Sequence, residues 1–103
     1  MIVTTIEHLP GREIKEVLGT VFGCCVQTKH VGKDIRACLR NVVGGESRAY
    51  TELMEEARRT AMQRMMDDAK KLGADAVVGM RYATAQTMSS AAEIIAFGTA
   101  VKY

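Results

Sequence analysis

Apolar positions recur along this chain with two different periods, and each change of period marks a new element. Ile2–Ile6 is a short β-branched run and predicts a strand, and Pro10-Gly11 predicts a turn. From Ile14 to Gln27 a longer strand is predicted. Val17, Gly19, Val21, Gly23 and Cys25 fall on one face, and Leu18, Thr20, Phe22, Cys24 and Val26 on the other. Two glycines four apart on one face predict a bulge, a bend or close approach by another backbone, with a strongly twisted strand as the alternative. The period then becomes helical. Ile35, Cys38, Leu39 and Val42 form one stripe of a short helix over Asp34–Val43, capped by Asp34 and ended by Gly44-Gly45. Ser47 caps a longer helix reaching about Leu72. Its stripe is Tyr50, Leu53, Met54, Ala57, Ala61, Met65, Ala69 and Leu72. The opposite side carries Glu55, Arg59, Gln63, Asp67 and Lys70, and the pairs Glu55/Arg59 and Asp67/Lys71 are worth about 0.2–0.5 kcal/mol each. Gly73 stops the helix. Period two then returns. Asp75–Ala85 places Ala76, Val78, Met80 and Tyr82 on one face. Glu93–Tyr103 places Ile95, Phe97, Thr99, Val101 and Tyr103 against Ile94, Ala96, Gly98 and Ala100, and Gln86–Ala91 is the hairpin loop between these strands.

The order β-β-α-α-β-β predicts a two-layer α+β fold. An antiparallel sheet of three long strands carries the long helix across one face, with the short helix and a short N-terminal strand beside them. One helix covers one face of such a sheet. Yet the Ile14–Gln27 and Glu93–Tyr103 strands are apolar on both sides, so their second face needs another cover. Burial against a sister chain supplies one, at about 25 cal/mol per Å² of apolar surface. The short N-terminal strand can also pair with a sheet edge, its own or a neighbour's. The pattern therefore predicts a homo-oligomer.

Composition narrows the field. With 103 residues the chain has room for one core, so residues 1–103 form a single domain. A net charge of +2 is too small to signal a nucleic-acid binder, and with two Phe, three Tyr and no Trp there is no base-stacking platform. No apolar run reaches the ~20 residues of a membrane span. Met1-Ile2-Val3-Thr4-Thr5 lacks the basic start and apolar stretch of an export signal, and three cysteines suit a reducing compartment. The expected location is the cytoplasm, with no membrane or nucleic-acid partner.

Candidate chemistry is sparse. His8 and His30 lie in predicted loops without a partner at metal-motif spacing. Cys24-Cys25 invites a soft-metal site, since thiolate is the preferred ligand of such ions. However, adjacent strand residues point to opposite faces unless a bulge intervenes, so a shared ion calls for several subunits around an axis. Cys38 reads as a small core residue. Met54, Met62, Met65 and Met66 fall on the long helix, where thioethers fill packing gaps. The segment from Lys29 to Arg48 is the most basic. Its Gly44-Gly45 turn precedes the N-terminus of the long helix, where free N–H groups attract anions. Arg40, Asn41, Gly44, Gly45, Ser47 and Arg48 are the candidate ligand-binding residues, for a small phosphate or carboxylate, although Glu46 opposes an anion there. A solvated basic face with an ordinary helix cap accounts for the same residues. There is no nucleophile with a base in reach and no dinucleotide fingerprint, so no catalytic residue is assigned.

Several runs resemble the YbjQ-like family, whose name carries a heavy-metal-binding label. They are Leu18-Gly19-Thr20-Val21-Phe22-Gly23, Arg40-Asn41-Val42-Val43-Gly44-Gly45 with Ser47 and Tyr50, Leu72-Gly73-Ala74-Asp75-Ala76-Val77-Val78-Gly79, and Gly98-Thr99-Ala100-Val101-Lys102. The resemblance implies a dodecin-like subunit assembled into a ring, a homopentamer, with no established reaction. Three functional expectations follow. The first is a cytosolic oligomeric binding or scaffold protein. The second is a heavy-metal binder using the Cys24 and Cys25 thiolates. The third is an enzyme with a composite anion site at the Gly44-Gly45 turn between subunits.

Overall fold

Helix α1, Arg48–Lys71, forms where the apolar stripe predicts it. The computed structural model describes residues 1–27, 48–88 and 91–103, with the side chains of residues 27, 48–50, 86–88, 91 and 92 outside that description. Ala57, Ala61, Met65 and Ala69, one per helical turn, are buried. Lys70 and Lys71 in the last turn favour the negative end of the helix dipole. The helix ends in a glycine cap in which Ala74 N–H donates to the Ala69 carbonyl and Gly73 N–H to that of Lys70. Leu72, assigned to the core stripe from spacing alone, lies past the last turn and is exposed.

Four strands accompany the helix: β1 (Ile2–Val3), β2 (Glu16–Gln27), β3 (Ala76–Met88) and β4 (Ala91–Lys102). They make one sheet in the order β1-β3-β4-β2. β4 pairs antiparallel with both β2 and β3, whereas β1 pairs parallel with β3 through Ile2↔Ala76 and Val3↔Val77. The three long strands pair antiparallel as expected, and the short N-terminal strand takes an edge of its own sheet in parallel, so the sheet is four-stranded and mixed. The N-terminal run keeps only two strand residues. Beyond them Met80 N–H donates to the Thr4 carbonyl and Gly79 N–H to that of Ile6, so the chain stays tied to β3 as irregular edge. The Gln86–Ala91 stretch is mostly ladder, since Gln86 pairs with Ala92 and Met88 with Ala91. The predicted short helix over Asp34–Val43 lies outside the described residues.

Two bulges decide which side chains face the helix. The β2–β4 register shifts between Val17 and Gly19, and Leu18 is the extra residue. Val17 is thereby turned away from the core and is 66% exposed, while Leu18 packs against it. The β3–β4 register shifts between Val78 and Arg81. Gly79 sits there at φ +63°, a conformation costly for residues with a Cβ. Ala76 and Val78 therefore lie on one face of the sheet, and Met80 and Tyr82 on the other with Val77. Simple alternation had put those four residues on one face.

Under α1 the core consists of Val21, Val77, Met80, Ile94, Ala96 and Ala100 against Ala57, Ala61, Met65 and Ala69. The layers meet closely because Gly23 has no side chain. A Cβ there would run into the Ala61 carbonyl and the Met65 amide of the helix backbone. On the opposite face a smaller cluster forms at one end from Ala76, Val78 and Val101, with Ile14 and Tyr103 packed against it. Arg12 lies over the Tyr103 ring at 5.6 Å. Among the described residues no helix is long and apolar enough to cross a membrane.

Candidate functional site

The cross-strand register builds the face away from α1 row by row. Phe22 lies opposite Phe97, which lies opposite Arg81. The next row is Cys24, Ile95 and Ala83, and the next is Val26, Glu93 and Ala85. Phe22 and Val26 are 55% and 53% exposed, and Ile95 and Phe97 are half-buried. Large apolar side chains thus occupy the centre of a surface that no other element among the described residues covers, with Arg81 and Glu93 at its margin. Such an apolar centre within a polar rim is the anatomy of a protein–protein contact. Arg81 is held in place, its Nη1 donating to the Thr5 carbonyl at 2.9 Å and to the Met80 carbonyl at 2.8 Å.

Cys24 and Cys25 follow one another in an unbroken stretch of ladder, Cys24↔Ile95 and Cys25↔Ile94. Their side chains therefore point to opposite faces. Cys25 packs against the core under the helix, and Cys24 joins the uncovered face near Glu93. Partial burial pushes the Cys24 thiol up from its ordinary value. The Glu93 carboxylate, accepting its proton in a hydrogen bond, pushes the same way, and Arg64 opposes them. At neutral pH the group is a thiol, whereas a soft metal takes the thiolate. Among the described residues no group of three or more His, Cys, Asp or Glu side chains gathers as a metal site. The donors of one chain's described residues do not fit a closed heavy-metal site, which takes about four ligands.

On the helix side, α1 lies chiefly over β2 and β4 and leaves part of β3 open. Tyr82 is exposed there, at the floor of an open groove walled by Glu55, Arg58, Arg59, Met62 and Gln63. Arg59 Nη2 meets Glu55 Oε2 at 3.5 Å, as the helical spacing predicts, and Asp67 accepts a hydrogen bond from Gln63 Nε2 at 3.0 Å. The predicted anion-site residues Arg40, Asn41, Gly44, Gly45 and Ser47 lie outside the described residues. Arg48 is the first residue of α1. His30 and Cys38 also lie outside them. Sequence reasoning missed the placement of Arg81 beside Phe97 and of Tyr82 beside the helix. The available signal was Gly79, a glycine inside an otherwise apolar strand run.

Comparison with known proteins points one way. The family model described as "Putative heavy-metal-binding" matches residues 1–103. The chain is 58% identical over 102 residues to a UPF0145 protein of Archaeoglobus fulgidus, covering 99% of this chain and 94% of that one. It is 57% identical over 102 residues to a UPF0145 protein of Vibrio campbellii, with 99% and 98% covered. A UPF0145 protein of Thermotoga maritima is 55% identical over 102 residues, with 99% and 96% covered. Among solved structures, a protein of unknown function of the DUF74 family from Pediococcus pentosaceus superposes with a TM-score of 0.63 at 16% identity. That match covers 99% of this chain and 96% of the other, and it is a likeness of fold.

Proposed function

The chain belongs to the YbjQ-like family, the UPF0145 proteins, and from that premise we propose that it works as a cytosolic homo-oligomeric binding or scaffold protein. Its copies join through the uncovered face of the sheet. One observation carries this reading. Phe22, Phe97, Ile95 and Val26 form a contiguous apolar patch with no helix over it among the described residues, on strands whose other face is already filled. Fully burying one such side chain is worth about 1.5–3 kcal/mol, so a few of them suffice to hold copies together. A closed ring, pentameric as the family resemblance implies, uses the same contact in every copy and leaves no patch exposed. Ligand pockets of such assemblies form between subunits. Native mass spectrometry of the purified protein tests the reading. A single ring mass, with any small molecule carried along, supports it, and a bare monomer ends it.

The family's metal label gives a second reading, favoured by the shared position of Cys24 and Glu93 on the face that meets other copies. Several copies would then supply the ligands that one chain lacks. Zinc titration of the fully reduced ring checks it. Binding in fixed proportion to the subunits, lost in Cys24→Ala and kept in Cys25→Ala, is the expected result. Binding that survives Cys24→Ala removes this reading.

A further inference from the structure

β2 is an outer strand of the sheet, so among the described residues one row of its backbone groups faces no neighbouring strand. In an antiparallel pair the N–H and C=O of a residue point to the same side, and successive residues alternate. Phe22 and Cys24 point theirs outward, and α1 takes up one group from each. Phe22 N–H donates to Asp68 Oδ2 at 3.3 Å, and Arg64 Nη1 donates to the Cys24 carbonyl at 2.6 Å. The spacing matches on both sides. Four residues along a helix rise ~6 Å, and two residues along a strand rise ~6.6 Å. Gly23, lying between the two strand residues, lets the helix backbone come near enough for both side chains to reach round the edge. Both contacts involve a charged group, which makes them stronger than neutral hydrogen bonds.

A long outer strand beside an apolar face is a template for open-ended pairing with further copies. We infer that Arg64 and Asp68 are an edge guard, occupying the middle of β2 so that a second copy of this chain cannot add a strand there. Thr20 and Val26, which point the same way on either side, have no such side-chain partner among the described residues, and an incoming strand finds the centre of its ladder taken. The guard steers association to the sheet face, and it operates whether or not the face assembles as proposed above.

The test compares Arg64→Ala/Asp68→Ala with Glu55→Ala/Arg59→Ala, a control that removes an ion pair from the other side of the same helix. Light scattering over a concentration series is the readout, with circular dichroism to verify folding. The first variant is expected to grow into open-ended species whose size rises with concentration and whose β signal increases. The control keeps the wild-type size. Adding Thr20→Pro, which removes an outward N–H, restores a discrete particle. Amide exchange in the wild-type protein gives an answer that no variant's folding can obscure. The Phe22 amide should exchange at least about 10-fold more slowly than those of Thr20 and Val26. A folded Arg64→Ala/Asp68→Ala variant of unchanged size, or equal exchange at the three amides, overturns the inference.

Discussion

The two faces of this sheet come from the same strands and carry opposite kinds of side chain. Beneath α1, Gly23 and the helix's Ala57, Ala61 and Ala69 let the layers come close, and Val21, Val77, Met80, Ile94 and Met65 fill the core between them. On the other face stand Phe22, Phe97, Ile95 and Val26. If the helix-covered face were the whole core, the chain's two phenylalanines would be expected there. Close backbone approach keeps the covered side thin, and both phenylalanines stand on a face that no other element among the described residues covers. In the proposed assembly that face becomes the middle of a layered arrangement.

Substitutions that interchange the two regimes break the comparison most sharply. Gly23→Val places a side chain where the helix backbone lies, and is expected to cost about 3 kcal/mol, seen as a lower urea midpoint at fixed protein concentration. On the open face Phe22→Asp has ample room. It leaves the subunit's circular dichroism intact and weakens assembly roughly 10- to 100-fold, the effect of losing one buried aromatic worth about 1.5–3 kcal/mol. Analytical ultracentrifugation over a dilution series measures this. If Phe22→Asp unfolds the subunit while Gly23→Val is tolerated, the assignment of the two faces is inverted.

Smaller effects sharpen the same picture. Gly79→Ala loads a Cβ onto the positive-φ bulge that turns Met80 towards the helix, and costs about 1–2 kcal/mol, visible as a lowered melting temperature. Cys24 reports the environment of the open face. Its folded value is raised above the ordinary thiol value of 9.0, so its contribution to stability is fully present below about pH 9 and is lost as pH rises through the folded value. The stability difference between wild type and Cys24→Ala should therefore hold steady from pH 7 to 8 and shift against the wild type at higher pH. Urea titrations at each pH follow it, and Glu93→Gln should move the onset of thiol alkylation to lower pH. Smallest is Arg59→Ala. It breaks an exposed ion pair and should change stability by no more than about 0.5 kcal/mol.

How far the sequence reveals this arrangement depends on the element. The long helix is legible almost to the residue, because Ala57, Ala61, Met65 and Ala69 keep a strict four-residue spacing that only a helix makes contiguous. The opposed thiols of Cys24 and Cys25 follow from alternation within one strand. Gly19 and Gly23 were legible as a pair marking a bulge, a bend or a close approach, and the structure puts a bulge beside the first and the helix backbone against the second. Alternation fails at Leu18 and at Gly79-Met80. Each bulge inserts a residue and reverses the faces beyond it, and one sequence does not show where a ladder slips. The parallel pairing of β1 was hidden for a different reason. Two residues carry no period, and their partner, β3, lies more than seventy positions away. The Arg64–Asp68 contacts depend on that three-dimensional packing as well, and as a sequence feature the two residues are only charges one helical turn apart.

Size-exclusion chromatography with in-line light scattering, run on the wild-type protein at micromolar and lower concentrations, decides whether the open face joins copies of the chain. If the open face is an interface, the mass is two or more whole multiples of 11.3 kDa, and it falls towards 11.3 kDa in Phe22→Asp. A folded wild-type particle of 11.3 kDa across the whole series would contradict the account.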